Sequence, residues 1–265
     1  MSFLLADSHT HTSFSFDSQT PAEKMVQRAA ELGIKHYTIT DHLEINMEET
    51  HDSAQKGAKI FPEIKEKYKD KINLHFGIEL GQALHDKELS EKILSDYDFD
   101  FVIGSLHNLK GEEDFYFLDY TRLDCDELLR RYFSELLELA RWDGFDVLGH
   151  ITYPLRYICG KYGIEIDMKK YSDAVDEVFK TVINNGKGIE INSSGLFTEI
   201  KKTSPDLPLV KRYRELGGKI ITVGSDAHTQ DRVGAGIRDA IETARAAGFN
   251  EICYYEKRKP IFINI

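Results

Sequence analysis

Short apolar runs rich in Ile, Val, Tyr and Phe alternate along this chain with longer stretches of helical period. Eight of the short runs read as strands: "FLLADSHTH" (3–11), "HYTITDH" (36–42), "LHFGIEL" (74–80), "FVIGSLH" (101–107), "DVLGHI" (146–151), "GIEINSS" (188–194), "IITVGSDAH" (220–228) and "EICYYEK" (251–257). Helices are expected between them. Residues 22–32 place Ala22, Met25, Val26 and Ala29 on one face, and Thr20-Pro21 with Glu23 predicts a capping box with proline at the first helical position. Residues 127–140 align Leu128, Leu129, Tyr132, Phe133, Leu136 and Leu137. Residues 171–183 align Tyr171, Ala174, Val175, Val178, Phe179, Val182 and Ile183. Three segments, "AAELGIKHYTIT", "YRELGGKIITVG" and "ARAAGFNEICYY", each stop a helix at glycine (Gly33, Gly217, Gly248) before a strand begins.

Strands alternating with helices call for a parallel sheet, and seven or eight such units favour an α/β barrel over an open doubly wound sheet. The sequence carries no GxGxxG or P-loop, and no Pro/Ser-rich linker divides it, so a single domain over 1–265 is expected. With 34 Lys and Arg against 45 Asp and Glu, the formal charge of −11 opposes a polyanionic partner, and nucleic acid is not expected. Cys125, Cys159 and Cys253 are odd in number and lack a CxxC, which suits reduced thiols in the cytoplasm. "MSFLLADS" is too short for a signal peptide, and no apolar run approaches a membrane span. The oligomeric state is open.

The polar residues change the picture by where they fall. Almost every strand candidate ends in a side chain able to ligate a metal: His9 and His11, Asp41-His42, Glu79, His107, His150, Glu190 with Asn192, and Asp226 with His228. In an α/β barrel these ends share one face, where active sites are built. His9 and His11, at i and i+2 on a strand, point the same way, as do Asp226 and His228. Imidazoles and carboxylates without a nearby cysteine suit catalytic Zn²⁺, Mn²⁺ or Fe²⁺ rather than a structural cysteine site. There are more such groups than one ion needs, so two or three ions are expected, with Glu79 as a bridge. His36, His51, His75 and His85 lie off the pattern and read as structural.

Taken in order, "HTH" (9–11), "TDH" (40–42), "GIE" (77–79), "GSLH" (104–107), "GH" (149–150) and "GSDAH" (224–228) resemble the motifs of the PHP (polymerase and histidinol phosphatase) superfamily, from residue 7 to about residue 230. The resemblance implies a distorted (β/α)₇ TIM-like barrel with a trinuclear metal centre at the C-terminal strand ends. It implies ions held by His9, His11, Glu79 and Asp226; by Asp17, His42 and His228; and by Glu79, His107 and His150. Zinc is the foremost candidate. Asp17 stands where many relatives have histidine. "YPLRY" (153–157) matches the segment after the fifth-strand histidine and makes Arg156 the candidate phosphate clamp. Asn192 is a further candidate for substrate binding. After "INSSGL" (191–196) relatives commonly place a second arginine, where this chain has Phe197; Lys201 or Lys202 would supply only a point charge there.

The implied activity is hydrolysis of a small phosphomonoester, L-histidinol phosphate foremost. A water shared by two cations loses its proton near neutral pH and would attack phosphorus in line, with Asp226 or His228 as candidates for proton transfer. Other substrates of such a site are nucleotides, phosphotyrosine or an oligonucleotide 3′-end. The rival classes are a nuclease, a non-catalytic metal-stabilised module and an amidohydrolase; against the last, "GSLH" stands at the fourth strand end instead of a lysine. The aromatic "GEEDFYFLDY" (111–120) is a candidate cover over the site.

Overall fold

In the computed structural model, which describes residues 5–265, the strands form one parallel sheet that curls into a nearly closed barrel. They are β1 (Ala6–Asp7), β2 (His36–Ile39), β3 (His42–Glu44), β4 (Asn73–Gly81), β5 (Phe101–Ser105), β6 (Val147–Leu148), β7 (Gly188–Asn192) and β8 (Ile221–Gly224). The order is β1-β2-β4-β5-β6-β7-β8, and β3 continues the line of β2 beside β4, so the barrel has seven staves. The two ends meet where Ser8 N donates to Val223 O (2.9 Å) and His11 N donates to Ala227 O (2.9 Å). Phe3 and Leu4, at the start of the first strand candidate, lie outside the described residues.

The main helices are α1 (Ala22–Glu31), α2 (Ser53–Tyr68), α3 (Lys87–Asp96), α4 (Cys125–Arg141), α5 (Ser172–Asn184), α6 (Leu207–Glu215) and α7 (Ile237–Ala246). Their apolar stripes lie against the staves, as parallel strands covered by crossover helices require. The stripe expected on α1 is buried in full. On α4 Leu137 is only half-buried, while Leu139 and Ala140 join the core. Asp124 caps α4 by accepting from Asp126 N and Glu127 N. Gly33, Gly217 and Gly248 all take positive φ, as the three helix stops predict. The capping box before α1 does not form. Pro21 itself occupies the cap position, no side chain bonds the first turn, and Glu23 turns outward to pair with Lys67.

The last strand candidate is not a stave. β9 (Glu251–Glu256) pairs antiparallel with β10 (Lys259–Asn264) to form a separate hairpin. The hairpin packs at the end of the barrel where the strands start. Cys253 and Tyr255 cluster with Phe101, Ile103 and Val147, and the Tyr255 ring stacks on Phe101 at 4.9 Å. Arg258 fastens the turn by donating to Asp146 Oδ2 (2.6 Å) and Gly144 O (2.7 Å). This closure leaves the opposite end, at the strand C-termini, for chemistry. Tyr255→Ala should therefore cost about 3 kcal/mol of folding stability, measured by urea denaturation; a loss below about 1 kcal/mol would show that the hairpin does not seal the barrel.

Candidate metal centre

Strand register delivers the ligand candidates to one place. β3 lies beside β4 with His42 opposite Glu79, and β4 beside β5 places Ser105 two residues beyond Glu79's partner. Glu79 is fully buried, and Ser105 Oγ donates to its Oε1 (2.6 Å). Around that carboxylate, Oε1 faces His150 Nε2 (2.8 Å) and His107 Nε2 (3.2 Å). Oε2 faces His42 Nδ1 (2.9 Å), His9 Nε2 (3.2 Å) and His11 Nε2 (3.5 Å). Asp226 Oδ1 lies 3.3 Å from His11 Nε2 and 3.8 Å from His9 Nε2. Asp17, in the loop between β1 and α1, completes the group: its Oδ2 is 3.0 Å from His228 Nε2 and 3.6 Å from His42 Nε2. All nine side chains named from sequence as ligand candidates thus converge.

Two features fit this cluster to cations. Among the described residues, His9 Nε2, His11 Nε2, His42 Nδ1 and Glu79 Oε2 are buried without a hydrogen-bond partner. The pair His42 Nδ1 and Glu79 Oε2 is close yet not aligned for a hydrogen bond. Orphaned buried polar atoms are costly, and several aimed at one point call for a shared partner. The second feature is how the rings are held. The outward Nδ1 of four histidines meets a fixed group: Glu190 Oε1 for His9 (2.7 Å), Ser15 Oγ for His11 (3.1 Å), Glu44 Oε1 for His107 (2.9 Å) and the Asp226 carbonyl for His228 (2.9 Å). A donor bond at Nδ1 leaves the Nε2 lone pair facing inward, which is how metal-binding histidines are commonly oriented. Four overlapping triads, His9/His11/Asp226, His11/His42/His228, His9/Glu79/His150 and His42/Glu79/His107, each bring three donor atoms within 4.8 Å of one another. Zinc ligands about 2.1 Å from an ion lie about 3–4 Å apart.

Sequence reasoning left Glu44 unnamed and gave Glu190 no specific part. Glu44 is two residues past His42 on the same strand face, and also stands 3.1 Å from His42 Nδ1. Glu190 holds His9 with one oxygen and accepts from the His150 backbone N–H (3.0 Å) with the other. The close approach needs Gly224: a Cβ there would lie 2.3 Å from Glu190 Oε1 and 2.4 Å from His9 Cβ. Asp226 itself takes left-handed φ of 56°, a strained setting for a non-glycine residue, and its N–H bonds His9 O (2.8 Å). Asp41 serves structure: it accepts from Thr12 N, Thr12 Oγ1 and Ser15 Oγ, tying the two first strand ends together.

Electrostatics follow from burial and proximity. Burial opposes charge on His9, but Glu190, Glu79 and Asp226 outweigh it and hold its pKa well above the ordinary imidazole value. His42 and His107 are likewise raised well above it against burial, His42 chiefly by Glu79 and Asp17, His107 chiefly by Glu44 and Glu79. His11 goes the other way, to about 3, through burial and the neighbouring His228 and His42. Glu79 and Asp226 stay well below the usual carboxylate range because these imidazoles overcome the cost of burial. In the cation-free state, then, protons shared among histidines neutralise the carboxylates.

The remaining candidates border this centre. Arg156 donates to Ser194 Oγ, lies 3.6 Å from Asp226 Oδ2 and stacks over Tyr153 at 5.3 Å. Asn192 Nδ2 approaches Asp226 Oδ2 (3.3 Å), and its Oδ1 accepts from Ser194. Lys201 is exposed and lines no part of the cavity beside Asp226 and His228. Phe197 does line it, with Arg232 stacked on its ring at 4.8 Å. Segment 111–120 approaches the centre through Tyr116, whose ring meets Tyr157 (5.8 Å); Tyr157 meets Tyr153, and Tyr153 lies 5.1 Å from His150.

The PHP domain family model matches residues 7–194. A probable histidinol-phosphatase of Clostridium acetobutylicum is 33% identical over 259 residues, covering 96% of this chain and 98% of the relative. A histidinol-phosphatase of Lactococcus lactis is 28% identical, covering 96% and 95%. The crystal structure of histidinol phosphate phosphatase from Lactococcus lactis, complexed with zinc, L-histidinol and phosphate, superposes with a TM-score of 0.84 at 24% identity, over 98% of this chain and 100% of that one. A second likeness is the crystal structure of the putative histidinol phosphatase from Listeria monocytogenes, with a TM-score of 0.77 at 20% identity, over 88% of this chain and 99% of that one. Barrel, ordered motifs and family match agree: the chain belongs to the PHP domain family.

Proposed function

We propose that this protein is a metal-dependent phosphomonoesterase that converts L-histidinol phosphate to L-histidinol and phosphate, acting on a small substrate in the cytoplasm. The observation that carries the chemistry is the convergence of His9, His11, Asp17, His42, Glu79, His107, His150, Asp226 and His228, with His9 Nε2, His11 Nε2 and His42 Nδ1 buried and unpartnered. The substrate reading is supported by curated relatives of nearly equal length that bear the name histidinol-phosphatase. Free cysteines at 125, 159 and 253 suit a reducing compartment.

Two or three divalent cations, zinc foremost, would be held by those nine side chains, where they would acidify a water and offset phosphoryl charge. Glu79 presents one oxygen to His107 and His150 and the other to His9, His11 and His42, so its carboxylate can serve two ions. Arg156, held by Ser194 and stacked on Tyr153, offers its guanidinium to the non-bridging oxygens. Asn192 fixes Asp226 and Ser194 beside it. A proton for the leaving alkoxide would come from whichever of Asp226 and His228 does not hold a cation; the two side chains lie 3.6 Å apart.

Zinc-loaded protein should release phosphate from histidinol phosphate with a kcat/KM at least about tenfold above nucleotides or phosphotyrosine, a margin worth roughly 1.4 kcal/mol. Cleavage of an oligonucleotide without turnover of any monoester would replace this reading. Glu79→Gln keeps shape but removes the shared charge. Its activity should fall by more than the about 100-fold that outer partners of a metal cost, with at least one ion lost by elemental analysis; full activity with full metal content would contradict the assignment. Because His9, His42 and His107 have raised pKa values, they hold protons at pH 7 that a cation must displace. Zinc affinity of stripped protein should then fall by about tenfold or more per pH unit on acidification from pH 8 to 6; a pH-independent affinity in titration calorimetry would contradict it.

A further inference from the structure

A cavity of about 230 Å³ opens beside Asp226 and His228. Hydroxyls of Ser194, Thr198 and Thr229 line it, together with Phe197 and Arg232. Arg232 brings the one guanidinium among the lining residues, in a chain whose net charge is −11. It belongs to a short turn, Gln230–Arg232, that begins two residues after His228. The turn is fixed at several points. Arg232 N donates to Thr229 O (3.0 Å), Ala235 N donates to Arg232 O (2.9 Å), Gly234 N donates to the buried Asp7 (3.0 Å), and Ser193 Oγ donates to Ala235 O (2.7 Å).

The side chain is exposed and makes one aromatic contact. Its guanidinium lies 4.8 Å from the centroid of Phe197, a ring left 46% exposed. Stacking on an aromatic face satisfies one side of a guanidinium without using its N–H groups, which remain free to bind an oxyanion. No carboxylate of the described residues lies within ion-pair distance of Arg232. Ser194 connects this wall to the other guanidinium, since Arg156 donates to its hydroxyl. Two guanidinium groups, the half-buried Arg156 and the exposed Arg232, thus border the ground next to Asp226.

We propose that Arg232 is a substrate-binding residue: stacked on Phe197, it takes a non-bridging oxygen of the phosphoryl group in the cavity beside Asp226 and His228. This rests on the phosphoesterase reading. It assigns Phe197 the part of a platform that aims Arg232, and it makes Lys201 unnecessary. The group recognised is a tetrahedral oxyanion, so inorganic phosphate, the product, is the natural probe.

The test is calorimetric titration of inorganic phosphate into zinc-loaded native protein, Arg232→Ala, Arg232→Lys and Phe197→Leu, with zinc content and melting temperature followed in parallel. Loss of one charge-assisted contact predicts about tenfold or greater weakening of phosphate binding in Arg232→Ala, with unchanged zinc content and a matching rise in KM for histidinol phosphate. Arg232→Lys should recover only part of the loss. Phe197→Leu should weaken binding although every charge is retained, a result that a diffuse surface-charge effect would not give. Native-like phosphate affinity in Arg232→Ala would overturn the proposal and leave the phosphatase reading standing. Zinc-loaded native protein that neither binds phosphate nor hydrolyses a monoester would overturn both.

Discussion

A carboxylate buried at the heart of a barrel needs compensation, and among the described residues every ion-pair partner of Glu79 is a histidine. Lysine or arginine would neutralise the charge permanently. Imidazoles do so only while they carry protons, and give up their lone pairs when a cation arrives. Such a cluster can exchange protons for metal ions. The strain and polar burial around it become intelligible as the cost of holding five rings about one anion.

Rigid supports keep those rings in place. Glu190, Glu44 and Ser15 grip the outer nitrogens of His9, His107 and His11. Asp7 and Asp41 act further out. Asp7 accepts from Ser225 N and Oγ and from Gly234 N, joining the first stave to the loop after the last. Burial raises its pKa to about 6 against those hydrogen bonds, so it is a carboxylate maintained for its acceptor geometry. The loop it anchors carries both His228 and Arg232. One buried aspartate therefore couples barrel closure to two parts of the site.

The clustering of the candidate ligands was legible because two periodicities coincide. Strands put i and i+2 on one face, and a barrel brings strand C-termini together, so His9/His11 and Asp226/His228 declare themselves before any coordinates. The supporting carboxylates were less legible. Glu44 follows His42 at i+2 just as His11 follows His9, and side-chain type alone does not separate a carboxylate that touches the ion from one that orients an imidazole. Residues 251–257 do form a strand, but its alternation, the same as in the others, does not reveal that it pairs in a hairpin outside the barrel. Its turn, Lys257-Arg258, takes positive φ at both residues without the asparagine or glycine that usually marks such a turn. Before α1, Thr20 looked like a cap, yet Pro21 took the position. Arg232 escaped notice because its role depends on a contact with Phe197, thirty-five residues away in sequence, and no local pattern reveals that.

In the proposed centre Glu79 is shared between cations bound by the strand-end histidines. Anomalous diffraction at the zinc edge from crystals of zinc-loaded protein tests it directly. Two or three peaks are expected, with Glu79 ligating two ions, one through each oxygen. A single ion, or ions that Glu79 does not touch, would contradict it.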